Sequence, residues 1–343
     1  MNKKITIALD AMGGDYGPEQ TVAGAIEAAR NHDVAIQLVG DKDAVNAALL
    51  NHNDVKSLDI AVVPSVDVIY ENEQPAKALR QKQQASIVVA TQLVATHQSD
   101  ACVSMGSTGA SMAAATVIFG LMEGITRPAL GGPIIGLAPQ TIIIDVGTNV
   151  DCKPIQLLSF AIIGEVFAKY LLKIREPKIG ILSVGSETGK GNKQVKETTE
   201  LLSSSSLNFV GNVEGSDLPT GSVNVVVCDG FVGNIVMKLT EGLGSEISKY
   251  LTETLKVYID SETSGILAKE IFKVTNPAAA YGAGPLLGVN GISFIGHGRS
   301  KQDEISGAIA TAKLAVEVDF INQIQKRLPK TLSAATENGT DER

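Results

Sequence analysis

The side chains of this chain that could do chemistry sit in short, glycine-containing segments. GSETGKG (185–191) puts Ser186 and Lys190 on one loop, with Asn192 and Lys193 just beyond it. Main-chain N–H groups and ammonium groups presented together bind small anions. The loop is not a nucleotide P-loop. Only three residues separate Gly185 from Gly189, and Gly191 follows the lysine where Ser or Thr would hold magnesium. It is either a site for a smaller anion or a solvated turn. Lys173, Arg175, Lys178, Lys190, Lys193 and Lys196 are opposed between 173 and 196 only by Glu176 and Glu187, so the stretch is locally basic.

SMGSTGA (104–110) clusters Gly106, Ser107, Thr108 and Gly109 where an apolar run passes into a helical one. One hydroxyl suffices to cap a helix; two hydroxyls and two glycines favour an anion or a carbonyl at the helix start. Asp10, Asp15, Asp145 and Asp229 each stand at or just past a strand end, where a carboxylate can do acid–base work, hold a metal or cap a helix. None of His32, His52, His97 and His297 has an acidic cluster at ligand spacing, so no metal site is expected. His297, in GHGRS (296–300), is either a loop residue or one that meets an anion or protonates a leaving group. Cys102, Cys152 and Cys228 are far apart and read as small buried hydrophobes of a reducing compartment. No GxSxG elbow and no GxGxxG fingerprint is present.

Positioning these loops takes a particular architecture. Short β-branched runs (5–9, 35–39, 58–63, 101–104, 141–146, 178–184, 208–213, 222–228, 291–295) alternate with longer amphipathic stretches. Several runs, IIID and VNVVVC among them, are apolar on both faces, as strands between two helical layers must be. The expected fold is an α/β/α sandwich on a mainly parallel sheet, whose ligands bind beyond the carboxyl ends of the strands. Five glycine loops after five strands then point to one shared crevice. From 231 to about 274 the pattern stays helical, which predicts a projecting helical hairpin at about 240–275. No linker divides the chain, so one compact catalytic domain is expected over 1–330, followed by a disordered polar tail at 331–343.

The 343 residues are 44% hydrophobic, ample for a large core, but only 4% aromatic. With 29 basic against 37 acidic residues, the net charge of −8 argues against a nucleic-acid partner. MNKKITIALD lacks the long apolar run of a secretion signal, so a cytoplasmic protein is expected, with contact to a membrane surface left open.

DAMGGDYGP (10–18), SMGSTGA, RPA (127–129), DVGTNVDCKP (145–154), VGSETGKGN (184–192), VCDGFVGN (227–234) and GAGPLLGVNGISFIGHGRS (282–300) together resemble the bacterial phosphate acyltransferases of phospholipid synthesis. The resemblance runs from Ile5 to about Leu328, with Thr148 standing where a smaller residue is usual. It implies reversible conversion of long-chain acyl-ACP and inorganic phosphate to acyl phosphate and ACP, with no cofactor. The product would feed a membrane glycerol-3-phosphate acyltransferase in phosphatidic acid synthesis. It also implies a sandwich similar to the isocitrate/isopropylmalate dehydrogenase fold, and a homodimer. The alternative within this chemistry is a phosphotransacetylase-like enzyme using acyl-CoA.

Phosphate is itself a nucleophile and a thioester is already activated, so the site must mainly orient the two and stabilise an oxyanion. On this reading Ser186, Lys190, Asn192 and Lys193 hold phosphate, helped by Ser107 and Thr108. Asn234 and the Gly233 N–H meet the oxyanion, His297 serves the departing sulfur, and Asp229 orients a lysine. Leu255, Tyr258, Leu267 and Ile271 of the hairpin contact a dimer partner, the acyl chain or lipid.

Overall fold

A computed structural model of the chain describes residues 4–53, 55–255, 257–275 and 282–338. They pack as two compact units, Met1–Met122 with Tyr281–Asn322, and Glu123–Ala280 with Gln323–Arg343. The sequence reading drew no boundary inside 1–330, since no shift in composition marks either crossing.

The first unit opens with β1 (Thr6–Asp10), α1 (Glu19–Asn31), β2 (Ala35–Gly40), α2 (Lys42–Leu49) and β3 (Ile60–Pro64). It continues with α3 (Pro75–Gln81), α4 (Ser86–Ala95), β4 (Ala101–Ser104) and α5 (Thr108–Ile118). The second unit holds β5 (Ala129–Gly132), β6 (Ile142–Ile144), α6 (Pro154–Tyr170), β7 (Ile179–Leu182), α7 (Lys193–Ser204) and β8 (Phe209–Val213). After them come β9 (Val225–Val227), α8 (Gly230–Leu255) and α9 (Ser261–Thr275). The chain then returns to the first unit with β10 (Ala283–Leu287), β11 (Ser293–Gly296) and α10 (Gln302–Glu317), and α11 (Phe320–Asn338) ends it in the second.

In the first unit the strand order is β3-β2-β1-β4-β11-β10, parallel except for β10 against β11. Helices α1, α2 and α10 cover one face, α4 and α5 the other. Gly24 permits the close seat of α1 on α10, since a Cβ there would lie 2.6 Å from Ile305 Cβ. The chain winds outward from β1 to β3 and then returns to place β4 on the other side of β1. That reversal opens a crevice between neighbouring strand ends, the usual ligand position in such sheets. Asp10 and Ser104 are paired in register there.

In the second unit the order is β5-β6-β9-β7-β8, with β5 antiparallel to β6 and the others parallel. The III of β6 and the VVV of β9 are fully buried, as interior parallel strands should be. Helix α6 is largely apolar, and its residues Leu157–Gly164 are all buried where it packs on β6 and β9. Helix α11 is tied to this body by Arg327, whose guanidinium donates to both carboxylate oxygens of Glu165 at 2.6 and 3.1 Å.

The tail expected to be disordered from Thr331 is instead helical to Asn338, and Thr331 is buried. The polar composition hid a helix-compatible run, LSAATEN, that extends an amphipathic helix anchored by Ile324 and Leu328. Residues 339–343 of that expectation lie outside the described residues. The expected hairpin is present: Ser248 Oγ donates to Ala268 O, and Ser264 Oγ to Thr252 O, stitching α8 to α9 through small residues. Because small residues face inward, Leu239, Leu243, Ile247, Tyr250, Ile266 and Leu267 are left exposed.

Candidate functional site

The glycine loops fall into two sets, one in each unit. In the first unit, DAMGGD after β1, SMGSTGA after β4 and GHGRS after β11 meet at the β1–β4 reversal. A Cβ on Gly13 would lie 2.7 Å from the Gly106 N, so only glycine lets the first two loops touch. Asp15 N donates to Gly298 O at 2.7 Å and holds the third. Between them is a cavity of about 320 Å³. Asp10, Asp15, Glu71, Asn72, Ser86 and Ser107 are among its polar lining residues, and Met12, Ile69, Ile87 and Met105 among its apolar walls.

Asp10 is 3% exposed. Ser104 Oγ donates to its Oδ2 at 2.7 Å and Met12 N to its Oδ1 at 3.2 Å. Burial raises the Asp10 pKa above the ordinary carboxyl value, opposed by hydrogen bonds from the Ser86 and Ser104 hydroxyls and from the Met12 and Gly13 N–H groups. Ser107 is the N-cap of α5, its Oγ accepting from Ala110 N at 3.3 Å. Thr108 N donates to the Glu71 carboxylate at 3.3 Å, so an acidic side chain already stands at this helix start. His297 is exposed, and its neighbour Gly298, not His297, lines the cavity.

In the second unit the turn after β6, the loop after β7 and the start of α8 after β9 lie at one edge of the sheet. Asp145, fully buried, organises them. Its Oδ1 accepts from the N–H groups of Leu130, Gly147 and Thr148, each at 3.2 Å. Its Oδ2 accepts from Thr148 Oγ1 at 2.5 Å, Asn149 N at 2.7 Å and Asn149 Nδ2 at 2.8 Å. The hydroxyl of Thr148, unexpected at that position, thus adds a donor to the same carboxylate. Helix α8 rests on this turn. A Cβ on Gly230 would lie 2.8 Å from Asn149 N, and one on Gly233 would overlap the Asp145 carbonyl. Asn234 is exposed on the first turn of α8, with its Oδ1 beside Gly147.

Two expected roles are corrected here. Asp229 is a helix cap in this structure, its Oδ1 accepting from Val232 N at 2.9 Å at the start of α8, and among the described residues no ion pair joins it to a lysine. The Gly233 N–H is already donated to Asp229 O at 3.0 Å, so it is spent inside the helix. Lone carboxylates at αβ junctions serve as caps because the helix start leaves unpaired donors.

The 185–190 loop hangs from one side chain, Asn212 of β8. Its Nδ2 donates to the carbonyls of Gly185, Glu187 and Lys190 at 3.2, 3.1 and 3.4 Å. Ser186 N donates to Glu214 Oε1 at 3.0 Å. Asn192 Oδ1 caps α7, accepting from Val195 N at 2.9 Å. Lys190 and Lys193 are exposed, and Lys193 reaches Glu197 at 3.6 Å, a surface pair of little energetic weight. Gln194 Nε2 donates to Cys152 O at 2.6 Å, which binds the start of α7 to the turn after β6. The structure therefore places Ser186, Lys190, Asn192, Lys193, Asp229 and Asn234 in the second unit, and Gly106–Gly109 with His297 in the first, where the sequence points to one shared crevice. The sequence carries no signal for Asn212 as a loop hanger, and Ser86 reads from it as an ordinary helix-start serine.

No described residue group offers three or more His, Cys, Asp or Glu side chains placed to hold a metal ion. The thiols are poor nucleophiles. Burial pushes Cys152 up to about 12, with the charges of Asp145 and Asp229 adding to it. Burial also raises Cys102 and Cys228 well above the ordinary thiol value. Among the described residues no helix is long and apolar enough to cross a membrane.

Solved structures share this architecture. A phosphotransacetylase from Streptococcus pyogenes matches with a TM-score of 0.62 at 18% identity, over 92% of this chain and 95% of that one. A 4-hydroxythreonine-4-phosphate dehydrogenase from Salmonella typhimurium matches with a TM-score of 0.54 at 13% identity, over 92% of this chain and 100% of that one. The fold is thus the layered α/β fold found in phosphotransacetylases and in dehydrogenases of this kind. Residues 5–323 match the fatty acid synthesis protein family. The phosphate acyltransferase of Geotalea daltonii is 42% identical over 330 residues, covering 94% of this chain and 95% of that protein. That of Desulfitobacterium hafniense is 42% identical over 334 residues, covering 96% and 99%. The chain belongs to the phosphate acyltransferase family.

Proposed function

We propose that the protein transfers a long-chain acyl group from the thioester of acyl carrier protein to inorganic phosphate, reversibly, giving acyl phosphate and free carrier. Identity of 41–43% to several phosphate acyltransferases over 89–96% of the chain carries the reading. The chemistry of the chain agrees with it. A phosphate oxygen attacks the thioester carbonyl, the C–S bond breaks, and the electron pair leaves on the phosphopantetheine sulfur. An enzyme-borne thiolate is unnecessary, and the three thiols here are held protonated by burial.

The phosphate is held on the 185–193 loop, by Lys190 and Lys193 with the Ser186 hydroxyl and the free amide nitrogen of Asn192. The carboxamide of Asn234, at the start of α8, faces the developing oxyanion. Removing one such donor typically slows turnover ~100-fold or more. His297 is the group nearest in type to a donor for the departing sulfur. The acidic carrier docks on the basic 173–196 stretch, and Leu255, Tyr258, Leu267 and Ile271 of the α8–α9 hairpin serve a second copy, the acyl chain or a membrane surface. Acyl phosphate delivered there would be consumed by a membrane glycerol-3-phosphate acyltransferase.

The test is incubation with long-chain acyl carrier protein and orthophosphate, trapping acyl phosphate as the hydroxamate. Phosphate-dependent hydroxamate is expected, with acyl-CoA a much poorer donor. Product formation indifferent to phosphate would refute the activity, and equal use of acyl-CoA would refute the carrier assignment.

A further inference from the structure

We propose that Asn212 is a positioning residue for phosphate: it holds the 185–190 loop by its carbonyl groups and so turns the N–H groups of Thr188 and Gly191 toward the anion. The proposal rests on the acyltransferase reading and on phosphate being held at this loop, and it lies wholly within the second unit.

Asn212 Nδ2 donates to the carbonyls of Gly185, Glu187 and Lys190 at 3.2, 3.1 and 3.4 Å. Two amide hydrogens thus serve three acceptors, and the loop is gathered around one group. A peptide unit is planar and trans, so each carbonyl drawn to Asn212 turns the N–H of the next residue the other way. The N–H groups set in this manner belong to Ser186, Thr188 and Gly191. Ser186 N already donates to an anionic group, Glu214 Oε1, at 3.0 Å. Those of Thr188 and Gly191 have no hydrogen-bond partner among the described residues.

The backbone of the loop is shaped to the same end. Lys190 N donates to Glu187 O at 3.1 Å, closing a turn whose third residue, Gly189, has φ +90°. That is the type II turn, which favours glycine at this place and accepts proline at the one before it, here Thr188. Gly191 follows at φ +105°. Outward N–H groups in such conformations form concave anion sites. Lys190 and Lys193 are accompanied by Glu187, Glu197 and Glu214, so charge alone gives little attraction and directed N–H groups must supply the rest. Holding the loop has a local cost: Asn212 Oδ1 is buried with no partner among the described residues. Turning the carboxamide over would set that oxygen against three carbonyls.

The experiment varies hexadecanoyl carrier protein and orthophosphate separately in the hydroxamate assay. Thr188→Pro deletes one N–H while keeping the turn, so the melting temperature should be unchanged or raised. Its KM for phosphate should rise about tenfold, and that for the acyl carrier should stay within about twofold. Asn212→Ala removes the carboxamide, and Asn212→Asp keeps its size without its N–H groups. Each should raise the phosphate KM about tenfold or more at a near-constant acyl-carrier KM. An unchanged phosphate KM in Thr188→Pro, or equal rises in both KM values in the Asn212 variants, would overturn the assignment while leaving the activity standing. If the unaltered protein makes no phosphate-dependent product, the acyltransferase reading itself fails and takes this proposal with it.

Discussion

Two aspartates show how the same side chain does different work at strand ends. Asp10 is buried with a raised pKa, so the folded state binds its proton more tightly than the unfolded chain, whose aspartates titrate near ~3.9. Its contribution to stability is therefore full below the unfolded value and is lost as pH climbs through the folded one. Asp10→Asn should flatten that decline, measured as the urea midpoint across a pH series; a variant running parallel to the parent would contradict the raised value. Asp145 instead satisfies donors from Leu130, Gly147, Thr148 and Asn149. Asp145→Ala should cost roughly 3–5 kcal/mol in chemical unfolding, because several buried donors lose their acceptor together. Cys152→Ser should keep turnover within about twofold, since a thiol held at about 12 is not the nucleophile. The sequence made Asp10 and Asp145 visible as strand-end carboxylates. It could not separate a hub from a cap, because that depends on which loops fold back over the residue. Asp229, identical in local setting, turned out to cap α8.

At the scale of elements, α8 is seated tightly at its start, held to α9 toward its end, and open around its middle. Gly233 sits on the Asp145 carbonyl, and a methyl group there has no room. Gly242, farther along the same helix, is exposed with nothing within 4 Å of its would-be Cβ. Gly233→Ala should therefore destabilise the protein by about 2 kcal/mol or more through overpacking. Gly242→Ala should stabilise it by roughly 0.5–1 kcal/mol through helix propensity. Thermal unfolding of the pair checks this, and equal shifts would contradict the seating of α8. The interior strands were legible because III and VVV are apolar on both faces and bounded by turn residues. The antiparallel strands β5 and β10 were not, since ALGG and AGPLL carry glycine and proline and owe their extended form to a neighbouring strand. The short α3 passed unread because seven residues give too little periodicity.

For the whole molecule, a net charge of −8 coexists with a basic stretch at 173–196. On the proposed function, an acidic carrier protein would be repelled by the net negative charge and attracted by that stretch. The KM for acyl carrier protein should rise with ionic strength, and Lys173→Glu with Arg175→Glu should reproduce the rise at low salt; a flat profile would contradict docking there. The division into two units escaped the sequence because the chain leaves the first unit after Met122 and returns at Tyr281 without any change in composition. Direct attack of phosphate on the thioester is the central claim, and mass spectrometry of the intact protein after mixing with long-chain acyl carrier protein, without phosphate, tests it most directly. Direct attack predicts an unchanged protein mass and no released carrier thiol until phosphate is added. A stoichiometric gain of one acyl group on the protein, with a matching burst of free carrier, would contradict it.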